Sequence, residues 1–310
     1  MVYTAPLELQ ILDVDEPAPE AHEVLVHVES CGICGSELEG IRSRSPFRVP
    51  PLVMGHEFGG VRDDTGERVV VNPAVSCGWC DLCLAGSANL CRHRAIVGIH
   101  RPGGFAERVS VPERNIYPIP ESMSWEQAAL VEPIANAVHA WRLIADRTPA
   151  RVGVIGAGTI GLVSLIVARA RGVDEVDVVD LAADRLRSAD LIGASSTGVA
   201  LQGEYDVVFD AVGSAGTRRA SVEHIRPGGA AVWLGLHAEE PGFDGLGLIR
   251  MEKSVLGSFC YTDRDFRQAI TMAASIDPFW VATYALDAGV DIFNELMNGR
   301  TDVVKAQLRV

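Results

Sequence analysis

Positive charge is scarce in this 310-residue chain: 27 Lys and Arg stand against 41 Asp and Glu, a formal net charge of −14. A field of that sign repels nucleic-acid phosphates and anionic lipid, so neither nucleic acid nor a membrane is expected as a partner. No apolar run of membrane-spanning length lacks breakers. The longest, Val152 to Ala168, contains four glycines and reads as a buried strand, a turn and a helix. Residues Met1 to Gln10 carry no basic start and no apolar core, so no secretory leader is expected and the expected location is cytoplasmic. Aromatics are few, at 6%, yet apolar residues reach 48% and charged residues 22%, which excludes a disordered or collagen-like chain. There is no internal repeat and no low-complexity segment.

The length suits one large domain or two ordinary ones, and such a chain builds a core without disulfides. Seven cysteines is an odd number, and four of them cluster, which favours bound metal in a reducing compartment over disulfide bridges. The first 120 residues read as strands and loops. Val24, Val26 and Val28 alternate along one run, and period-two runs recur at Arg68 to Val71 and Ala106 to Val111. A helix is expected from Trp125 to about Ile144, with Ser124 as its N-cap. From about residue 146 strands and helices alternate, which argues a parallel sheet covered by helices. Thr262 and Asp265 resemble a capping box. A last helix stops at Gly299, and Val303 to Val310 reads as a strand.

Gly156-Ala157-Gly158-Thr159-Ile160-Gly161 follows an apolar strand and opens an apolar helix. The first glycine permits a tight turn, the second lets backbone N–H groups approach a pyrophosphate, and the third lets helix and strand pack closely. Asp180 ends the next strand, 19 residues after Gly161, where a carboxylate meets the ribose of NAD. Arg185 is a candidate for covering the adenine ribose.

Cys77, Cys80, Cys83 and Cys91 are spaced C-x2-C-x2-C-x7-C in a turn-rich loop. Four thiolates suit a closed, structural zinc site, and the spacing differs from both ferredoxin patterns. A nucleic-acid-binding zinc ribbon is disfavoured by the net charge. Elsewhere, Cys31-Gly-Ile-Cys34 is open to reading as a redox pair, and His56 beside Glu57 as a metal site or an ordinary buried pair.

Taken in order, Cys-Gly-Ile-Cys-Gly-Ser at 31–36, Gly55-His56-Glu57, the cysteine loop, Gly103-Gly104-Phe105-Ala106-Glu107, Val131-Glu132-Pro133 and the glycine fingerprint resemble the zinc-containing medium-chain dehydrogenase/reductase family, sorbitol dehydrogenase-like branch. The resemblance implies an α/β chain: a β-rich GroES-like catalytic domain over 1–145, a Rossmann NAD-binding domain over 146–261, and a C-terminal return to the catalytic domain over 262–310. It makes Cys34 and His56 catalytic zinc ligands, leaves the third ligand between Glu57 and Glu132, and gives Ser36 the substrate proton. Backbone groups near Val212, Leu234 and Phe259 are implied to touch NAD. Two zinc ions per chain and a homodimer or homotetramer are also implied, with Ala230–Leu236 as a candidate sheet edge. Glu37 and Glu39 depart from the family's usual residues beside the relay hydroxyl.

The implied activity is oxidation of a secondary alcohol (a polyol, sugar alcohol or sugar acid) with NAD. A thiol-adduct or simple alcohol dehydrogenase, and a catalytically inactive nucleotide-binding protein, are the competing readings. The substrate pocket is expected along Ile41–Arg48 and Ile99–Phe105, with Trp79 or Trp125 if they face inward. Arg42, Arg44 and Arg48 are candidates for receiving a carboxylate or phosphate.

Overall fold

The period-two apolar runs become strands of one seven-stranded sheet, and the alternating stretch becomes a separate parallel one. The structure, a computed structural model, describes all residues except 43–44, 237–241 and 301. Two compact units divide it: Met1–Ala135 with Tyr261–Val310, and Asn136–Cys260. The first boundary falls inside the helix Val131–Arg142, ahead of the change in texture near residue 146.

In the first unit the long strand Glu23–Gly32 pairs antiparallel with Arg108–Pro112, with Glu57–Arg62 and with Lys305–Arg309. Alternate side chains point to one face, so Val26, Val28, Phe58, Val69, Val71, Val109, Val111 and Leu308 close into one core. Pairing of the C-terminal strand brings residues from the far end of the chain beside residues 30–32.

In the second unit six parallel strands run in the order Ser196–Gly198, Glu175–Val179, Arg151–Ile155, Tyr205–Asp210, Ile225–Trp233, Ser254–Gly257. Ala230–Ala231–Val232 therefore lies inside the sheet, paired on both sides, and the expected edge at 230–236 is corrected to Ser254–Gly257.

The single helix expected from Trp125 is two helices, Trp125–Ala129 and Val131–Arg142. Pro133 lacks the N–H needed to carry one ladder through, so the backbone restarts at Val131, where proline sits tolerably in a first turn. Ser124 does cap the first helix: its hydroxyl accepts from Gln127 N, and the Gln127 side chain accepts from Ser124 N. At Thr262 the backbone N–H and the hydroxyl both donate to Asp265.

Candidate active site

The Glu23–Gly32 strand delivers Cys34 to the start of a helix, Gly35–Arg42. Cys34 O accepts from Glu37 N at 3.0 Å, and the Glu37 carboxylate returns to accept from Cys34 N at 3.0 Å. The same carboxylate accepts from Gly55 N at 2.9 Å and lies 3.1 Å from His56 Nδ1. Glu37 thus ties two separate segments together. An anionic acceptor at Nδ1 fixes the proton there and leaves Nε2 as the coordinating nitrogen. Burial opposes charge on His56, but Glu37 and Cys34 outweigh it and hold its pKa well above the usual imidazole value. Burial likewise opposes the Glu37 charge, and His56 and Arg48 outweigh it, so its pKa is lowered.

One ligand atom each from Cys34, His56 and Glu57 lie within 4.8 Å of one another. Thiol, imidazole and carboxylate converging on one point, with three protein ligands and no fourth among the described residues, fit an open zinc site. Glu57 is 2% exposed, and the equally buried Lys305 ammonium pairs with its Oε2 and donates to Ile33 O at 2.9 Å. Burial alone would lower the Lys305 pKa; Glu57 and Cys34 raise it instead. Gly32 has no side chain because one there would strike the Glu57–Lys305 pair. Glu132 stands outside the three-residue group; its carboxylate accepts from Tyr261 Oη at 2.9 Å. Cys31 and Cys34 are not bonded to each other; Cys31 is fully buried, and burial together with Glu37 and Glu57 pushes its thiol well above the usual range, against thiolate chemistry there.

The four-cysteine loop forms the second convergence, its sulfurs again within 4.8 Å of one another. Cys77 and Cys83 Sγ are 3.8 Å apart, Cys80 and Cys91 Sγ 3.9 Å. Backbone N–H groups point at these sulfurs, from Cys77 and His93 to Cys91 Sγ at 3.2 and 3.3 Å and from Cys80 to Cys77 Sγ at 3.4 Å. Backbone donors push the Cys80 thiol down to about 6, while burial raises Cys83 to about 11. Four thiolates this close repel one another unless a divalent cation joins them, which is the behaviour of a closed zinc site.

In the second unit the predicted nucleotide residues gather at the C-terminal ends of the parallel strands, where such sheets bind ligands. Gly156 has φ +97°, and Val212 Cγ2 occupies the space its side chain would need. Gly161 packs on Gly156 O, and Gly158, N-cap of the Thr159–Ala170 helix, faces open space. Ile160 and Thr159 form that helix's first turn. Asp180 accepts from Ala157 N at 2.7 Å and Ala182 N at 2.8 Å, and Arg185 Nη1 lies 4.0 Å from it. Asp210 holds the next turn by accepting from Val212 N and Gly213 N, and its backbone carbonyl accepts from Leu234 N. Phe259 follows the Ser254–Gly257 strand by two residues. An open glycine at a helix N-terminus fits a pyrophosphate.

An alcohol dehydrogenase GroES-like domain profile matches residues 20–121, and a zinc-binding dehydrogenase profile matches 159–275. The L-galactonate-5-dehydrogenase of Escherichia coli K12 is 32% identical, over 86% of this chain and 84% of its own. The chain belongs to the zinc-containing medium-chain dehydrogenase/reductase family. A zinc-binding dehydrogenase of Sinorhizobium meliloti 1021, bound to NADP, superposes with TM-score 0.92 at 30% identity, covering 100% of this chain and 98% of its own. An alcohol dehydrogenase of E. coli CFT073, complexed with NADH, does so with TM-score 0.92 at 28% identity and the same coverage. As a medium-chain dehydrogenase the chain is an oxidoreductase of the alcohol/polyol type, pairing a GroES-like domain with a Rossmann domain, and its cofactors are a nicotinamide dinucleotide and zinc. Among the described residues no helix is long and apolar enough to cross a membrane.

Sequence reasoning missed Lys305 and Tyr261, and it treated Glu37 only as a departure from the family pattern. Of the pocket residues it named, Trp79 is 65% exposed and stacks on His93, so it does not face inward, and Trp125 lies under Arg68. Arg42 donates to Met297 O, Arg44 lies outside the described residues, and Arg48 turns inward onto Ser36.

Proposed function

We propose that the protein oxidises a secondary alcohol of a polyol or sugar acid to the ketone with NAD. The observation that carries this reading is the convergence of Cys34, His56 and Glu57 two residues from the Ser36 hydroxyl. Zinc bound there would supply Lewis-acid activation of the substrate hydroxyl, and a bound nicotinamide would supply the hydride acceptor. The chain's own groups do the rest. Cys34 and His56 are the ligands, with Glu57 as the third, and Glu37 holds the imidazole in the tautomer that presents Nε2. Lys305 neutralises one oxygen of Glu57. Glu132, oriented by Tyr261, offers a second carboxylate for polar groups at the site. Ser36 receives the substrate proton and passes it outward. The cysteine loop holds a second, structural zinc.

NAD is chosen over NADP because Asp180 presents a carboxylate where a 2′-phosphate would have to sit, and Leu181 and Ala182 follow it instead of an arginine. The two superposing structures hold NADP and NADH, so family membership does not select between them. The curated relative named for galactonate supports a polyhydroxylated substrate. The test is NAD reduction with the zinc-loaded protein against polyols, aldonates, simple alcohols and formaldehyde with thiol. Oxidation of a polyol or aldonate, abolished by a chelator, is expected. Activity confined to thiol adducts or ethanol-type substrates, or none at all, contradicts the reading.

A further inference from the structure

The segment after the Gly35–Arg42 helix inverts the usual rule of burial. Phe47 and Val49 are 64% and 68% exposed, while Arg48 between them is 6% exposed. Apolar neighbours left outside and a guanidinium taken inside is an arrangement that the hydrophobic effect does not produce. Arg48 lies along the helix. Its Nη2 donates to Ser36 Oγ at 3.1 Å, and Gly40, one turn on, has no side chain because the guanidinium occupies that place.

That one bond is the only hydrogen bond the Arg48 side chain makes among the described residues, and its Nε is closed from solvent with no partner. The Arg48 charge helps hold Glu37 ionised, but the Glu37 oxygens are engaged by Cys34 N, Gly55 N and His56 Nδ1. A guanidinium has five donors in a planar fork that matches a carboxylate or a phosphate. Leaving most of them unused in a buried position is costly unless an oxyanion completes the site. His100 sits within reach of the Arg48 charge, and its Nδ1 accepts from Ile96 N at 3.1 Å, which leaves the Nε2–H as a further donor.

We propose that Arg48 receives a terminal oxyanion of the substrate beside the Ser36 hydroxyl, so that the substrate class is an anionic polyol and not a neutral one. The inference rests on the proposed alcohol oxidation and narrows it. The hydroxyl to be oxidised then lies within a few carbons of the anion, because Arg48 touches the group that takes the proton. Arg48 is a specificity residue here: it touches the substrate's charged end and not the reacting bond.

The experiment uses the zinc-loaded protein with NAD and measures kcat/KM for matched sets: hexonates, the corresponding hexitols, and hexitol phosphates. Wild type should favour an anionic member over its neutral counterpart by about 10- to 100-fold, the scale of charge-assisted hydrogen bonds. The aldonate and phosphate arms tell a carboxylate from a phosphate. Arg48→Gln should collapse the anion-to-neutral ratio towards one, while Arg48→Lys keeps part of it. A loss of Ser36 positioning alone would lower both substrate types together and leave the ratio unchanged. If Arg48→Gln does not fold, the wild-type ratio and Arg48→Lys still decide. A wild-type preference for hexitols, or a ratio indifferent to Arg48, overturns the oxyanion site while leaving alcohol oxidation standing. Absence of oxidation of every member removes both.

Discussion

Oε1 of Glu37 lies 3.1 Å from Nδ1 of His56, and both groups are buried. The pairing fixes which imidazole nitrogen faces Cys34 and Glu57. Partners of this kind typically contribute about 10- to 100-fold in metal affinity. Glu37→Gln should therefore weaken binding of the catalytic zinc by that factor and leave the four-cysteine zinc in place. Zinc titration against a competing chelator, followed on both ions, checks it; equal retention of both ions would show that Glu37 does not support the site.

The two carboxylates offered by the sequence should separate. Glu57 is within ligand reach of Cys34 and His56, whereas Glu132 is oriented by Tyr261 outside that group. Glu57→Gln is expected to lower zinc affinity sharply, and Glu132→Gln to keep the zinc while lowering turnover. The reverse pattern in elemental analysis would reassign the third ligand.

Lys305 is expected to be needed for folding. Removing one partner of a buried ion pair strands the other charge, at a cost of about 3–5 kcal/mol. Lys305→Met should lower stability by that order in urea unfolding, and Lys305→Met with Glu57→Gln should recover part of it. A single variant as stable as wild type would mean that Glu57 is neutralised by something else.

In the second unit Asp177 accepts from Ser196 Oγ, Tyr205 Oη and Arg151, all at 2.8 Å. Burial tends to raise its pKa, but these three donors outweigh it and the value falls below 3.8. A depressed carboxylate contributes stability that is present above 3.8 and lost as pH falls through the lower, folded-state value. Asp177→Asn should cost about 1–2 kcal/mol at pH 7, the smaller figure reflecting the partial exposure of Arg151, and should flatten the acid limb of stability below about pH 4. Melting temperature against pH in the two proteins checks this; parallel acid limbs would contradict it.

Asp180 should set cofactor choice. Two anions in contact cost several kcal/mol at intermediate dielectric, so kcat/KM should favour NAD by about a hundredfold or more. Asp180→Asn keeps an acceptor for the backbone donors and removes the charge, so the NAD-to-NADP ratio should shrink at least about tenfold. A ratio unmoved by the substitution would detach Asp180 from the ribose.

The features legible in the sequence were those written locally. The glycine fingerprint, the cysteine quartet and the alternation of strands and helices each need only neighbours in the chain, and each took its expected form. Lys305 was not legible, because nothing around a lone lysine near the C-terminus announces a partner 248 residues away. Only the pairing of Lys305–Arg309 with Glu23–Gly32 places it there. The Gly35–Arg42 helix was read as loop because its glycines and serine propose no helix; Cys34 O and the Glu37 carboxylate start it. Nothing in the sequence sets Arg48 apart from Arg42, and only its burial separates the two.

The most direct test of the central claim is zinc content measured alongside NAD-dependent activity in wild type, Cys34→Ala and Cys80→Ala. Two zinc per chain are predicted for wild type. Cys34→Ala should retain one zinc and its fold and lose alcohol oxidation. Cys80→Ala should lose stability, because binding in a closed site is folding free energy. A folded Cys34→Ala protein that kept both zinc ions and full activity would contradict the account.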